Sequence, residues 1–231
     1  MGGLVLYELA AADPSVRFSP HCWKSRLALA HKGLEAERLA WRFTEKDRIA
    51  FSGQDKVPVL VDDGAAIANS WPIALHLEQR YPDRPSLFGG AAPLVQFING
   101  WADAALMPII AKLILLDIHD HLTEADQVYF RASREKAFGM PLAQVVADQP
   151  ARLKELKRAL APLRAMLAER PFLAGDQPNY ADYSVFGMFM WARCSSPLSL
   201  LEDGDPVTAW RDRLLDAFDG LARNAPAVGT V

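Results

Sequence analysis

The sequence predicts two domains, an N-terminal α/β domain with a small mixed sheet and an all-α C-terminal domain. As far as Pro82, apolar segments of strand length alternate with helical segments. The following segment PDRPSLFGG is rich in proline and glycine, and beyond it only helical periodicity remains. We therefore expect domains over residues 1–82 and 91–231, joined by a linker over residues 83–90.

The elements of the first domain begin with a strand from Leu4 to Leu9. The next segment is amphipathic, because Trp23, Leu27 and Ala30 recur on one helical face, and it predicts a helix from Pro20 to Lys32. The other expected elements are a strand from Glu37 to Phe43, a strand from Val57 to Val61, the short strand AIAN, and a helix that begins at Trp71 and ends near Tyr81.

The first helix has clear start and stop signals. Ser19 is a favoured N-cap residue, Pro20 has no amide to leave unpaired, and Gly33 suits the position after the last turn. These residue types explain a helix without any function. A helix N-terminus also has partial positive charge, so a substrate thiolate beside Ser19 would be stabilised there.

The second domain is predicted to be a helical bundle. Asn179 and Asp182 have the spacing of a capping box, and they open a nearly wholly apolar helix that belongs in the middle of the bundle. The expected helices run from Leu94 to His119, Ala125 to Phe138, Arg152 to Glu169, Asn179 to Cys194, and Pro206 to Leu221.

Composition excludes several classes of function. The net charge is −3 with no basic stripe, so a nucleic-acid partner is not expected. Apolar stretches such as the one that Lys112 interrupts are too short for a membrane span, and no signal peptide is visible, so a cytoplasmic protein is expected. Cys22 and Cys194 are too few for a disulfide framework, and neither they nor His119 and His121 have metal-ligand spacing, so no metal is expected.

Two further motifs in the first domain bear on function. Pro58 interrupts the strand around Val57, where either a trans proline at the strand start or a cis Val57–Pro58 peptide would be accommodated. A cis bond would turn the Val57 main chain outward to pair with a peptide-like ligand. Asn69 and Ser70 precede the next helix, where Ser70 serves either as a plain N-cap or as a carboxylate ligand.

A family resemblance combines these motifs. The segments SPHCW with LALAHKG, VPVLVDDG, NSW, YPDRPSLF, SREKAFG, GDQPNYADYS and FDGLARN together resemble the cytosolic glutathione S-transferases over nearly the whole chain. SREK and GDQPNYADYS are similar to the bacterial glutathione-dependent β-aryl etherases of lignin catabolism and to fungal serine-type glutathione transferases. The resemblance implies a thioredoxin-like first domain with a cis proline, an all-helical second domain and a homodimer.

The resemblance also implies roles for individual residues. Ser19 would donate a hydrogen bond to the glutathione sulfur, and Val57, before cis-Pro58, would hold the cysteinyl portion through its main chain. Ser70, helped by Asn69, would bind the γ-glutamyl end. Many relatives have an acidic residue where Asn69 stands, and an amide accepts the ligand's ammonium hydrogen bond without charge assistance. The glycine carboxylate needs a cation, for which Lys56 is favoured over two other candidates, Arg42 and Lys46.

The electrophile would occupy an apolar slot over the sulfur, formed by the first loop and the helical domain. The expected walls are Phe18, Met107, Ile110, Ala111, Leu115 and Trp191, with Pro14 and Met188 as further candidates. Such a slot suits an aromatic substrate. If the etherase resemblance is literal, the thiolate would displace an aryloxide from the β-carbon of a lignin-derived phenylpropanoid ketone; the broader alternative is conjugation of generic electrophiles in detoxification.

Two alternatives belong to other functional classes. In thioredoxin-like folds the first turn of this helix has two cysteines, and here Ser19 replaces the first while Cys22 keeps the second position. Glutathione-disulfide exchange through Cys22 is one alternative, although Cys22 also fits as a small apolar residue facing the sheet. A non-catalytic binding module is the other, and the amide at Asn69 is the feature that favours it.

Overall fold

The computed structural model describes residues 3–228, so the outermost residues of the two expected domains lie outside the described part. The first domain has strands β1 (Leu4–Leu9), β2 (Ala36–Trp41), β3 (Val59–Asp62) and β4 (Ala65–Ala68), helices α1 (Pro20–His31) and α2 (Ser70–Arg80), and a short 3₁₀ helix (Lys46–Ser52).

The four strands form one mixed sheet in the order β2-β1-β3-β4. β1 pairs in parallel with β2, with Leu6 opposite Arg38, and antiparallel with β3, with Leu6 opposite Leu60. β3 and β4 form an antiparallel hairpin. The parallel pair is connected through α1, as a parallel connection requires. The predicted α/β domain with a small mixed sheet is confirmed.

The second domain is helical throughout its described part. Its helices are α3 (Ala92–Trp101), α4 (Met107–Asp120), α5 (Glu124–Phe138), α6 (Leu142–Val145), α7 (Gln149–Ala159), α8 (Ala161–Leu167), α9 (Tyr180–Ser195) and α10 (Pro206–Gly220), and a π-helical segment (Ala102–Leu106) joins α3 to α4.

The observed helices differ in detail from the predicted ones. The segment expected as one helix from Leu94 to His119 is divided into α3, the π-helical segment and α4. The helix expected from Arg152 to Glu169 is divided into α7 and α8, because Pro162 lies in the first turn of α8 and has no amide to continue a preceding helix. The short helix α6 was not predicted, since four residues are too few to show a helical period.

Helix α9 lies at the centre of the bundle, as its apolar sequence predicts. The capping box at its start is present: the Asp182 carboxylate accepts from the Asn179 amide at 3.1 Å, and the Asn179 side chain accepts from the Ala181 amide at 2.8 Å. Gly187 faces helix α1, where an added Cβ would lie 2.6 Å from the Pro20 carbonyl oxygen. Only glycine admits this approach, so the start of α1 lies directly against the second domain.

Candidate functional site

A cavity of about 460 Å³ lies between the two domains, at the N-terminal end of helix α1. Its lining is mainly aromatic and aliphatic, with a few polar residues that include Ser19. Eight of the residues singled out in the sequence line it: Phe18, Ser19, Lys56, Val57, Met107, Ala111, Leu115 and Trp191.

The expectation for Ile110 has to be corrected. Met107, Ala111 and Leu115 recur every four residues and line the cavity as one face of α4, whereas Ile110 points into the bundle core and is fully buried. Met188, a further candidate, is also buried in the core of the protein. Pro14 lies exposed in the loop after β1, outside the cavity.

Ser19 is held at the start of α1 by local hydrogen bonds. The Phe18 amide donates to the Leu9 carbonyl at 3.3 Å, which returns the loop to the end of β1. The Ser19 side chain is the N-cap, since its Oγ accepts from the Cys22 amide at 3.3 Å. The residue is only 5% exposed, and it lines the cavity. Because the Cys22 bond uses an Oγ lone pair, the hydroxyl hydrogen remains free to donate to a ligand.

The Val57–Pro58 peptide bond is cis. The Pro58 carbonyl accepts from the Asn69 amide at 3.0 Å, which joins the loop before β3 to the start of α2. Asn69 takes a positive φ of 72° at the N-cap position, and its side chain makes no capping bond. Helix α2 thus begins at Ser70, one residue before the predicted start.

Pro58, Asn69 and Ser70 do not line the cavity itself but lie next to Val57 through this bond. Ser70 is nearly buried, and its carbonyl accepts from the Tyr180 hydroxyl of helix α9 at 2.9 Å. The start of α2 is therefore fixed to the helical domain, as the start of α1 is.

The three candidate cations have different surroundings. Arg42 donates to the carbonyls of Ala11 and Ala12 and pairs with Glu45, so its guanidinium holds the loop after β1. Lys46 pairs with Asp55 at 3.2 Å. Lys56 is exposed at the cavity edge, and the described residues include no hydrogen-bond or ion-pair partner for it.

A charged cluster lies behind the Ser19 end of the cavity. The buried Lys24 ammonium donates to Asp103 at 2.6 Å and to Asn99 at 2.8 Å. Burial and the nearby Lys24 lower the pKa of His21, which lines the cavity, to about 4. His21 is therefore neutral near pH 7.

Sequence reasoning missed one wall of the cavity, the inward face of helix α5. Phe130, Arg134 and Phe138 lie on this face at intervals of four residues, and Tyr129 lies beside them. Their spacing is a helical signal that could have been read from the sequence. The sequence does not show that this face of α5 lines the cavity, because its direction depends on packing between segments that are distant in the chain.

Helix α5 is tied to the first domain by a buried carboxylate. Asp126 accepts from the Thr44 amide and hydroxyl, both at 2.9 Å, and from the Thr123 hydroxyl at 3.0 Å. Thr44 follows Phe43, whose ring stacks on Tyr129 with centroids 5.9 Å apart. The aromatic wall therefore contains residues of both domains.

Cys22 lacks the exposure and the low pKa of a reactive thiol. It is 1% exposed, and burial raises its pKa to about 12. Cys194 is equally buried, and the same cause raises its pKa to about 11. A reactive cysteine needs an accessible thiolate, so these positions fit small apolar core residues.

Within residues 3–228, no group of three or more His, Cys, Asp or Glu side chains has the arrangement of a metal site. In the same part of the chain, no helix has the length and apolar character that crossing a membrane requires.

Comparison with known proteins gives a consistent family match. Residues 14–85 match the family described as "Glutathione S-transferase, N-terminal domain", and residues 94–214 match "Glutathione S-transferase, C-terminal domain". A glutathione S-transferase-like protein of Aspergillus flavus, ustS, is 29% identical over 142 residues, which are 55% of this chain and 50% of that protein. A probable glutathione S-transferase of rice, GSTU1 from Oryza sativa subsp. indica, is 25% identical over 90% of this chain and 86% of its own.

Solved structures share the fold. The glutathione transferase GSTFuA3 from Phanerochaete chrysosporium superposes with a TM-score of 0.84 at 23% identity, covering 95% of this chain and 97% of that one. The glutathione S-transferase CsGST63524 of Ceriporiopsis subvermispora, solved in complex with glutathione, gives 0.82 at 21% identity and covers 94% and 97%. The thioredoxin-like sheet with an appended helical domain is thus the fold of this chain.

The buried cysteines generate a first prediction. We expect neither Cys22 nor Cys194 to react with iodoacetamide in the native protein at neutral pH, because both thiols are buried and protonated. Mass spectrometry of protein labelled with and without urea checks this, and both cysteines should be labelled in urea. Fast labelling of native Cys22 with concurrent loss of activity would restore the exchange alternative.

Proposed function

The chain belongs to the glutathione S-transferase family, and from that membership we propose that it uses Ser19 to activate the glutathione thiol for attack on an apolar aromatic electrophile. The observation that supports this most directly is the position of Ser19. Its hydroxyl is at once a helix N-cap and part of the cavity lining, and its hydrogen is free to donate.

The chemical requirement is a thiolate at neutral pH. A free thiol has a pKa of about 8.5, and lowering it by about two units makes the thiolate the main form. A hydroxyl donor stabilises the anion directly, and the start of α1 adds the partial positive charge of a helix N-terminus. The Cys22 amide, by donating to the Ser19 oxygen, polarises the hydroxyl in the same direction. Ser19 acts here as a hydrogen-bond donor to sulfur and forms no covalent bond.

The rest of glutathione would extend from Ser19 across the first domain. In this proposal the Val57 main chain holds the cysteinyl unit, and Ser70 with Asn69 holds the γ-glutamyl end. The Asn69–Pro58 hydrogen bond supports this arrangement, because it brings Val57 and the start of α2 together. Lys56, exposed at the cavity edge and without a partner in the described chain, would pair with the glycine carboxylate.

The lining supports an aromatic electrophile. Phe18, Phe130 and Trp191 line the same cavity as Ser19. In the finer form of the proposal, glutathione thiolate attacks the β-carbon of a phenylpropanoid ketone. A carbon–sulfur bond forms, the carbon–oxygen bond breaks, and the aryloxide leaves with the electron pair and takes a proton from water.

The buried state of Cys22 favours this proposal over disulfide exchange. Exchange begins with a thiolate attacking a disulfide sulfur. A thiol that is 1% exposed, with its pKa raised to about 12, meets neither the access nor the charge requirement.

Replacing Ser19 tests the activation step. We expect Ser19→Ala to raise the pKa of enzyme-bound glutathione by about one unit, because the charged sulfur loses one donor. An ultraviolet titration of the thiolate on the saturated protein measures this. An unchanged midpoint would contradict the assignment of Ser19.

Two control variants accompany that titration. Ser19→Thr retains both the hydroxyl and the N-cap, so the midpoint should stay near that of the native protein. Ser25→Ala makes the same chemical change on the same helix outside the cavity and should also leave the midpoint in place. A shift in Ser25→Ala as large as that in Ser19→Ala would indicate a general effect on α1.

The substrate class is tested separately. With glutathione and a phenylpropanoid ketone bearing a β-aryloxy group, we expect one phenol released for each glutathione consumed, measured by liquid chromatography of both products. 1-Chloro-2,4-dinitrobenzene serves as a general aromatic electrophile. Turnover of 1-chloro-2,4-dinitrobenzene without ether cleavage would contradict the etherase form of the proposal and support general conjugation of aromatic electrophiles.

A further inference from the structure

Arg134 places a cation within the aromatic wall of the cavity. It projects from α5 and lies against the rings of Phe130 and Phe43, with its guanidinium carbon 4.8 Å and 5.7 Å from their centroids. It also lines the cavity that contains Ser19. Contact with two neighbouring aromatic rings restricts the orientation of the guanidinium.

The charge of Arg134 is not balanced by a carboxylate. Its one hydrogen bond among the described residues is donated to the Ser133 hydroxyl at 3.2 Å. Asp55 is the acidic residue of the cavity lining, and it pairs with Lys46 at 3.2 Å. On the same helix, the exposed Arg131 pairs with Glu135 at 3.3 Å. Arg134 thus differs from its neighbour in facing an apolar cavity without an anion.

Apart from its hydrogen bond to Ser133, the N–H donors of Arg134 have no acceptor among the described residues and are open to a ligand. The Arg134 side chain is half-buried, and the partial loss of hydration lowers its pKa below the ordinary value, although an arginine stays protonated near neutral pH. Stacking on two rings offsets part of the free energy of the lost hydration, but the ring faces do not satisfy the N–H donors of the guanidinium. A planar oxyanion would accept two of these hydrogen bonds at once.

We propose that Arg134 is an anion subsite of the electrophile cavity, which selects aromatic electrophiles bearing a carboxylate or a comparable oxyanion. The reaction of the bound electrophile with glutathione rests on the proposed function, whereas the binding of the anionic group by Arg134 does not. The substrate's ring lies against the aromatic wall, its anionic group pairs with Arg134, and its reacting carbon faces the sulfur beside Ser19.

A matched pair of ligands tests the subsite. 4-Chloro-3-nitrobenzoate and 4-chloro-3-nitrobenzamide have nearly the same shape and differ in charge. In both, glutathione thiolate displaces chloride from the ring, with a carbon–sulfur bond formed and chloride leaving with the electron pair. Binding is followed by quenching of tryptophan fluorescence without glutathione, and turnover by absorbance with it.

We expect Arg134→Met to weaken binding of the benzoate about ten- to hundredfold, through loss of a charge-assisted bidentate contact, and to change binding of the benzamide less than about threefold. For the benzoate, kcat/KM of Arg134→Met should fall by the same factor as binding, through a rise in KM. Arg134→Lys keeps the charge without the planar fork and should be intermediate. Arg131→Met, on the exposed face of α5, should resemble the native protein.

The outcomes separate the subsite from the reaction. If Arg134→Met loses equal affinity for the benzoate and the benzamide, Arg134 has a packing role only and the proposal is overturned. Equal affinity of the native protein for the two ligands would also overturn it. Selective benzoate binding without turnover of either compound would support the subsite while contradicting the proposed transferase reaction.

Discussion

The close contact between helices α1 and α9 determines where chemistry can occur in this protein. Gly187 lets the Pro20 carbonyl approach to a distance that any side chain would prevent. Ser19, one residue earlier, is thereby held at the border between the domains. The Tyr180 hydroxyl fixes the start of α2 to the same helix α9. Two helix N-termini of the first domain are thus positioned by one helix of the second, and the cavity lies beside them.

Much of the fold was predictable because it depends on local signals. The Ser19 and Asn179 caps follow from residue type and spacing, and β1 was predicted with its observed limits. The Pro58 position restricted the local geometry to two alternatives, and the family resemblance selected the cis bond that the structure contains. The exact start of α2 was less predictable, because Asn69 takes a positive φ while its amide donates to the Pro58 carbonyl. Pro58 precedes β3 and Asn69 follows β4, so the pairing of these two strands brings them together.

The candidate site was predictable only in part, because it is built by tertiary contacts. Met107, Ala111 and Leu115 were expected in the cavity, but nothing local distinguishes their face of α4 from that of Ile110. Arg134 was missed for a different reason. A cation on a helix ordinarily lies at the surface. Arg134 instead contacts Phe43, and the hydrogen bond between Thr44 and Asp126, which are more than 80 residues apart in the chain, holds the two segments together.

We propose that the start of α2, together with Ser19 and Val57, forms a glutathione site, and calorimetric titration with reduced glutathione measures binding at that site. We expect saturable binding to the native protein and about three- to tenfold weaker binding to Ser70→Ala, because one hydrogen bond is lost. Ser25→Ala should bind glutathione with native affinity. Absence of binding at millimolar glutathione, or an unchanged affinity in Ser70→Ala, would contradict the proposal.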